Sequence, residues 1–243
     1  MTFKELKEIF FANQINDCKI ILSEYSDQKF YIKCMDLINA EYERLLKLRK
    51  YENFLHNTGN SLIAGTDEAG RGPLAGPIVA GAVILKNNDL FFGINDSKKL
   101  TDYKRNKLFD VILKNCVAAS IHTITNKQID DINIANADKL AMRMSIEKLE
   151  SIPDHVLTDA FLVDGLQMNQ TAIVHGDSLS ISIAAASIIA KVTRDRMMDE
   201  YDRIYPQYGF ANNKGYGTQE HINAIKKYGI CPIHRKTFVK NFI

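Results

Sequence analysis

Residues 62–85, which read LIAGTDEAGRGPLAGPIVAGAVIL, decide the fold. Leu62 to Asp67 is a short apolar run that ends in acid, and this pattern predicts a buried strand. Ile78 to Leu85 is a second apolar run of strand length. Because the Gly- and Pro-rich turn between the two runs is short, we expect them to pair as an antiparallel hairpin.

Helical and strand patterns alternate through the rest of this region. Helices are predicted over Asp102 to Leu113, Asn136 to Glu150, Ile183 to Tyr201 and Gln219 to Lys227, and strands over Val117 to Ile124, Ala160 to Asp164 and Ala172 to Val174. This order predicts an α/β fold, with a sheet of mixed strand direction flanked by helices. The last helix follows a loop-rich stretch, so the chain should end in a helical segment.

The first sixty residues carry helical spacing and no strand pattern. Phe3, Leu6 and Phe10 recur at the interval of one helix face. The turn-forming residues 56–60 close the segment and give the best boundary in the chain. We therefore predict a helical N-terminal extension over residues 1–60 and a catalytic domain over residues 61–243. No chemical motif lies in the extension, so an appendage or a docking surface both fit it.

Composition excludes several classes of protein. The 243 residues are 46% hydrophobic and 25% charged, which is ordinary for a globular chain and unlike a disordered one. The four cysteines lack the spacing of a thiolate metal site or a disulfide framework. No run approaches the roughly 18 apolar residues of a membrane span, and no secretory signal opens the chain. We expect a cytoplasmic monomer with no membrane partner.

Charge is distributed unevenly along the chain. Residues 61–190 carry twelve basic and fifteen acidic side chains, whereas residues 191–243 carry ten and five. This asymmetry suggests a cation site beside a surface for a polyanion, although chance asymmetry explains it equally well. The candidates for contact with a nucleic-acid backbone are Lys191, Arg194, Arg196, Lys214 and Lys226.

Acids end three separate apolar runs: the pair Asp67 and Glu68, then Asp164, then Asp177. Ligands of open α/β sheets gather beyond strand ends, so these side chains could converge. Four converging carboxylates would repel one another unless divalent cations neutralised them, and hard oxygen donors favour Mg²⁺ or Mn²⁺. Each acid taken alone could equally be a loop end, or in the case of Asp177 a helix cap.

Two further stretches could bind phosphate or hydroxyl groups. The glycines at 70 and 72 allow close approach of a backbone to a ligand, but the loop is no P-loop. Ser97 and Lys98 offer a hydroxyl and an ammonium group, although a charged turn before a helix also explains them.

Adjacent strand residues point to opposite faces, so Asp67 and Glu68 cannot both face one ion from a regular strand.

Five blocks together resemble type 2 ribonuclease H. In chain order they are Gly65 to Pro77, Asn95 to Leu100, Leu162 to Gly165, His175 to Asp195 and Gly215 to Thr218. The resemblance covers about residues 62–235. It implies a ribonuclease H-like α/β fold, and an enzyme that cuts the RNA strand of RNA–DNA hybrids and incises duplex DNA 5′ of an embedded ribonucleotide. It also implies two Mn²⁺ or Mg²⁺ ions and products with 5′-phosphate and 3′-hydroxyl ends.

The resemblance assigns roles residue by residue. Asp67, Glu68, Asp164 and Asp177 resemble the four metal-binding catalytic acids. The loop Gly70, Arg71, Gly72 resembles the reader of the ribose 2′-hydroxyl, and Tyr216 resembles a tyrosine that stacks on the sugar. Ser97 and Lys98 resemble phosphate holders. How the ions divide among the acids stays open.

Three rival functions remain at this point. A phosphotransferase of the actin and sugar-kinase type shares the core of the fold but needs two such domains. A type 3 ribonuclease H is also extended at its amino end, but the Gly-Arg-Gly loop and Tyr216 favour type 2. A non-catalytic hybrid-binding module is disfavoured because all four acids are present.

Overall fold

The computed structural model describes residues 2–242. Its five strands are β1 (Ile63–Ala69), β2 (Ile78–Ile84), β3 (Ala118–Ile124), β4 (His155–Asp159) and β5 (Asn169–Ile173). The helices before the third strand are α1 (Phe3–Phe10), α2 (Ile15–Ser23), α3 (Gln28–Leu48), α4 (Lys50–Asn57) and α5 (Asp102–Asn115). The helices after it are α6 (Asn126–Ile132), α7 (Ile134–Glu147), α8 (Ile181–Ile204), α9 (Phe210–Asn213), α10 (Gln219–Tyr228) and α11 (Lys236–Val239).

The strands form one mixed sheet in the order β3-β2-β1-β4-β5. β1 pairs with β2 and β2 with β3 in antiparallel fashion, so the predicted hairpin is confirmed. β4 and β5 join on the other side of β1 in parallel. The prediction of a mixed sheet flanked by helices is therefore confirmed, and β1 lies at its centre.

Helices α7 and α8 cover opposite faces of the sheet. Ala64 of β1 belongs to a buried cluster with Ile146 of α7, whereas Ile63 belongs to one with Ile183 of α8. α8 approaches so closely that a Cβ on Gly65 would lie 2.1 Å from the carbonyl carbon of Ser182. This spacing explains the glycine, and it places the start of α8 directly against β1.

The fourth strand lies five residues earlier than the sequence pattern predicts. β4 ends at Asp159, and Ala160 follows with a positive φ of 62°, which L-residues other than Asn and Asp rarely adopt. The N–H of Phe161 then donates to the carbonyl of Asp159, closing a tight turn. The predicted strand Ala160 to Asp164 is thus wrong, because the backbone turns away from the sheet before it begins.

The N-terminal helices share a core with the sheet domain. Phe10 of α1 and Ile38 of α3 are fully buried in the same cluster as Val83 of β2 and Ile188 of α8. The helical content predicted for the extension is confirmed. These residues of the extension have no apolar core separate from that of the sheet domain. The domain boundary near residue 60 stays a prediction.

The C-terminal segment returns to the turn between β1 and β2. Ala75 forms an isolated bridge with His234, and the N–H of Arg235 donates to the carbonyl of Leu74 at 2.9 Å. The segment therefore supports the glycine-rich turn from behind. In residues 2–242 we find no helix with both the length and the apolar character that crossing a membrane requires.

Candidate active site

Asp67 and Glu68 point to opposite faces at the end of β1. Asp67 shares the face of Gly65, against α8, and Glu68 shares the face of Ala64, against α7. The Oδ1 atom of Asp67 accepts a hydrogen bond from the N–H of Glu68 at 2.8 Å. The two acids therefore lie on opposite faces of the sheet at the end of β1, as the alternation of adjacent strand residues requires.

Asp159 is the acid that joins them from the neighbouring strand. Thr66 of β1 pairs in parallel register with Thr158 of β4, so Asp67 and Asp159 follow side by side. The Oδ1 atom of Asp159 accepts a hydrogen bond from the N–H of Gly176 at 2.7 Å. Its charge acts on Asp67, Glu68 and Asp177. Asp159 thus occupies the strand-end position that the sequence assigned to Asp164.

Asp164 lies outside this group. Its side chain is 81% exposed and pairs with Lys139 of α7 at 2.8 Å. The error follows from the misplaced strand, because Asp164 ends an apolar run that lies in the turn after β4. A signal for Asp159 was present in the sequence, since it follows the apolar pair Val156 and Leu157 after the single residue Thr158.

Asp177 reaches the group from the short 3-10 helix Gly176–Ser178, directly before α8. It is 6% exposed. The Nζ atom of Lys98 lies 3.7 Å from its Oδ2 atom. Lys98 itself is placed by the 3-10 helix Ser97–Lys99, in which the N–H of Lys98 donates to Oδ1 of Asp96 at 2.9 Å.

The pKa values of three acids are raised. Burial raises the pKa of Asp67 well above its ordinary value, and the charges of Glu68, Asp159 and Asp177 raise it further. Burial also raises the pKa of Glu68 and of Asp177. Partial burial lowers the pKa of Lys98, but the acids around it prevail and the net shift is upward. The site therefore crowds carboxyl groups together at the end of the sheet, where each disfavours the ionisation of the others.

The donor chemistry of this group is that of a hard cation site. Asp67, Glu68, Asp159 and Asp177 offer carboxylate oxygens and no sulfur or imidazole nitrogen. Within residues 2–242, no group of three or more His, Cys, Asp or Glu side chains is already arranged as a ligand set for a metal ion. The carboxylates are thus near one another without converging, as expected for side chains of like charge.

Two buried arginines hold the Gly-Arg-Gly loop. Arg235 donates to the carbonyls of Gly70 at 2.5 Å and of Arg71 at 3.0 Å. Arg194 donates to the carbonyl of Pro77 at 3.0 Å, and its Nε atom would lie 2.1 Å from a Cβ on Gly70. Gly70 has a φ of +101°, so both its conformation and its surroundings require glycine. The backbone of the loop is therefore fixed from inside the protein.

Arg194 was wrongly predicted to contact a nucleic-acid backbone. It is 1% exposed, and its guanidinium donates hydrogen bonds to the backbone carbonyls of Pro77, Lys214 and Ala75. Lys191, one turn earlier on α8, forms an ion pair with Asp195, with a shortest N–O distance of 2.5 Å. Burial lowers the pKa of Lys191 despite that partner. On α8, Arg194 therefore supports the loop from inside the protein, whereas Lys191 pairs with an acid of its own helix.

Tyr216 is held by a buried hydrogen-bond chain. Its carbonyl is 2.8 Å from Nδ1 of His221, whose Nε2 is 3.0 Å from Nε2 of His234. The Nδ1 atom of His234 accepts from the N–H of Cys231 at 2.9 Å. Burial lowers the pKa of His221, and that of His234 to about 4, which favours the neutral form of both rings. The carbonyl at one end of the chain needs a donor and the N–H at the other end needs an acceptor. These two partners set the tautomers, with His221 donating to Tyr216 and His234 donating to His221.

These elements enclose a cleft of ≈ 220 Å³ beside the acids. It is lined by Glu68, Ala69, Gly70, Arg71, Gly72, Ser97, Lys98, Lys191, Arg194 and Tyr216. The ring of Tyr216 approaches within 3.6 Å of the position that a Cβ on Gly72 would take. The structure therefore brings the Gly-Arg-Gly loop, Ser97, Lys98 and Tyr216 together at one place.

The sequence matches a family model and individual proteins over the region that contains this cleft. The family model described as Ribonuclease HII matches residues 64–241. A ribonuclease HII of Acetivibrio thermocellus is 56% identical over 84% of this chain and 79% of that protein. One of Caldanaerobacter subterraneus subsp. tengcongensis is 45% identical over 100% of this chain and 98% of that protein. The latter alignment includes the N-terminal helices.

Comparison with solved structures agrees on the fold. The crystal structure of ribonuclease H2 from Pyrococcus horikoshii OT3 matches with a TM-score of 0.65 and 28% identity. The match covers 74% of this chain and 96% of that chain. The ribonuclease H-like α/β fold expected from the sequence is thus confirmed.

Proposed function

Because the chain belongs to the ribonuclease HII family, we propose that it incises duplex DNA 5′ of an embedded ribonucleotide, as well as cutting hybrids, by two-metal-ion hydrolysis. The coarser function follows from the family itself: the protein is a ribonuclease H, a hydrolase that acts on the RNA of RNA–DNA hybrids. The observation that carries the finer proposal is the lining of one cleft. Glu68 lines it together with the glycine-rich loop and Tyr216, and the charges of Glu68, Asp159 and Asp177 all act on Asp67.

The proposed metal ligands are Asp67, Glu68, Asp159 and Asp177. The raised pKa of Asp67 supports this choice, because a buried carboxylate surrounded by others gains most from a divalent cation. The open arrangement of the acids leaves ligand positions for water and for a substrate phosphate, as catalytic Mg²⁺ sites require. When bound, Mn²⁺ or Mg²⁺ ions would activate water and offset the charge of the departing oxygen.

The protein contributes position and charge to this hydrolysis. Water attacks the phosphorus atom and gives up a proton, the bond to the 3′-oxygen breaks, and the 3′-oxygen takes a proton, leaving a 5′-phosphate and a 3′-hydroxyl. Lys98, whose side chain is 75% exposed, would pair with a non-bridging phosphate oxygen. Ser97 is 4% exposed in the wall of the same cleft and would donate its hydroxyl to that phosphate.

Discrimination between RNA and DNA would come from the fixed loop and Tyr216. The 2′-hydroxyl is the group that distinguishes the two at a single nucleotide. Arg235 and Arg194 hold the loop of Gly70, Arg71 and Gly72 in one conformation, so its backbone groups are preorganised to contact a hydroxyl. Tyr216 is 47% exposed opposite the loop, where its ring can stack on the sugar.

The test uses a labelled DNA duplex that contains one ribonucleotide, incubated with Mn²⁺ or Mg²⁺, with both cut ends mapped. The proposal predicts one cut 5′ of the ribonucleotide, with 5′-phosphate and 3′-hydroxyl ends, and no cutting of an all-DNA duplex of the same sequence. Cutting of long hybrids without cutting at the lone ribonucleotide would favour type 3 behaviour and contradict the proposal. Hybrid binding without any divalent-ion-dependent cutting would contradict it as well.

A further inference from the structure

Asp138 of α7 is a buried carboxylate that none of the motifs includes. It is 0% exposed, and neither of its oxygens has a hydrogen-bond partner within the described part of the chain. Burying a carboxylate without donors is costly, so such a group rarely persists unless a charge nearby compensates it. The position of Asp138 therefore calls for a partner.

The cation that reaches it is Arg71, in the middle of the Gly-Arg-Gly loop. The Nε atom of Arg71 lies 3.5 Å from Oδ2 of Asp138. The negative charges of Glu68 and Asp159 also act on Asp138. Asp138 of α7 thus lies near both the acids of the site and the Gly-Arg-Gly loop.

The side chain of Arg71 is the part of the loop that the protein does not otherwise fix. Arg235 holds the backbone carbonyls of Gly70 and Arg71, whereas the side chain of Arg71 is 53% exposed in the wall of the cleft. A contact through Nε leaves both Nη groups of the guanidinium directed to other acceptors. Guanidinium groups in this state bind phosphate oxygens in a bidentate manner.

We propose that Asp138 is a positioning residue, which anchors the Nε of Arg71 so that its two Nη groups bind a phosphate of the strand beside the ribonucleotide. This inference rests on the proposed function and adds a phosphate contact to its substrate site. Asp138 acts only through Arg71, so its contribution is to substrate affinity, and it takes no part in holding the metal ions.

The experiment is a double-mutant cycle with Asp138→Asn, Arg71→Gln and the double variant. The substrate is a fluorescein-labelled duplex with one ribonucleotide, in Mn²⁺, at several salt concentrations. At pH 9, where Asp138 with its pKa of about 8 is ionised, each single variant should raise KM about tenfold, equivalent to one charge-assisted hydrogen bond, with kcat changed by less than about twofold. The double variant should match Arg71→Gln alone. The slope of log KM against log salt should fall by about one in all three variants, as for one lost phosphate contact.

Asp164→Asn is the matched control, since it removes a carboxylate that lies outside the site, and it should behave as the unmodified protein. Thermal unfolding checks the fold of each variant, and Asp138→Ser replaces Asp138→Asn should the latter fail to fold. Additive effects in the cycle would overturn the proposal. So would an unchanged KM, or a rise in the Mn²⁺ concentration needed for half activity, which would place Asp138 in the metal centre.

The outcome is separable from that of the proposed function. Fluorescence anisotropy of the same duplex measures binding without any cutting. If the unmodified protein binds the duplex but does not incise it, the proposed function fails, while the coupling between Asp138 and Arg71 is still read from the dissociation constants.

Discussion

At the scale of the residue, the site depends on which aspartate ends β4. Asp159 lies beside Asp67 in the parallel register, whereas Asp164 is exposed and paired with Lys139. Both aspartates closely follow apolar residues, so the sequence pattern alone does not separate them. The structure separates them because only one can lie next to the end of β1.

Substitution of asparagine for Asp159 and for Asp164 should therefore have different effects. Asp159→Asn should lower the rate of RNA–DNA hybrid cleavage by more than about a hundredfold, since even the outer partners of metal ligands are worth ~10–100-fold. Asp164→Asn should retain the rate of the unmodified protein. Steady-state cleavage of a labelled hybrid in Mn²⁺ measures both, and the opposite pattern would restore Asp164 to the site.

The raised pKa values predict how pH and metal act together. Asp67, Glu68 and Asp177 hold their protons to higher pH than ordinary carboxyl groups, and a bound cation must displace those protons. Activity should therefore fall as pH decreases through this raised range. The acidic limb should move to lower pH when the Mn²⁺ concentration increases. Rate profiles at two Mn²⁺ concentrations test this, and a limb that does not move would argue against metal binding by these acids.

Asp138 makes a separate prediction about stability. Burial raises the pKa of Asp138 from 3.8 to about 8, and Glu68 adds to the effect. Between these values the folded state binds more protons than the unfolded state, so stability is lost as pH rises from about 4 to about 8. Asp138→Asn should flatten this dependence and raise the unfolding free energy at the upper end. Urea unfolding at several pH values measures it, with Asp164→Asn as the control, and an equally steep dependence in the variant would show that Asp138 is not its source.

At the scale of the element, α8 is held by the N-terminal extension. The Oε1 atom of Glu52 in α4 accepts from the hydroxyl of Ser180 at 2.5 Å and from the N–H of Ser182 at 3.0 Å. A carboxylate at a helix N-terminus satisfies free N–H groups and favours the helix dipole. Since Asp177 lies three residues before Ser180, the extension supports the segment that carries one of the acids.

Glu52→Ala should therefore destabilise the protein by about 2 kcal/mol, the value of hydrogen bonds to a charged group. Chemical denaturation gives the free energy of unfolding. Glu43→Ala, an exposed acid of α3, is the control and should change it by less than about 0.5 kcal/mol. Equal effects of the two substitutions would show that the contact at the start of α8 has no energetic role.

The sequence predicts most elements but not the contacts that assemble the site. The runs that became β1, β2 and α8 are long and strongly patterned, so their place in the chain is predictable. β4 is short, and its position depends on pairing with β1, which a local pattern does not contain. Arg235 and Asp138 escaped prediction for the same reason, because their roles come from packing against residues distant in sequence.

At the scale of the whole molecule, the extension and the sheet domain share one apolar core. Phe10 is 0% exposed and lies in the same cluster as Ile188 of α8. Helices that bury their apolar faces against a domain contribute to its stability, and a helical appendage with few contacts would not. The extension is thus part of the structure that holds α8 and, through it, the site.

Phe10→Ala should test this directly, with an expected loss of about 3–5 kcal/mol for a large side chain removed from a core. The protein should unfold in a single transition at a lower temperature, when followed by circular dichroism and by hybrid cleavage on the same samples. Phe54→Ala, at a side chain that is 66% exposed, should have a small effect. Two separate transitions, with cleavage lost only in the second, would show that the extension folds independently.

Asp67, Glu68, Asp159 and Asp177 should hold divalent ions beside the Gly-Arg-Gly loop. Anomalous X-ray diffraction from crystals soaked in Mn²⁺ measures this most directly, since it locates each ion relative to each carboxylate. We predict two Mn²⁺ peaks ligated by these four acids, with Asp164 ligating neither. Peaks at Asp164, or no Mn²⁺ bound at the end of β1, would contradict this assignment of the metal ligands.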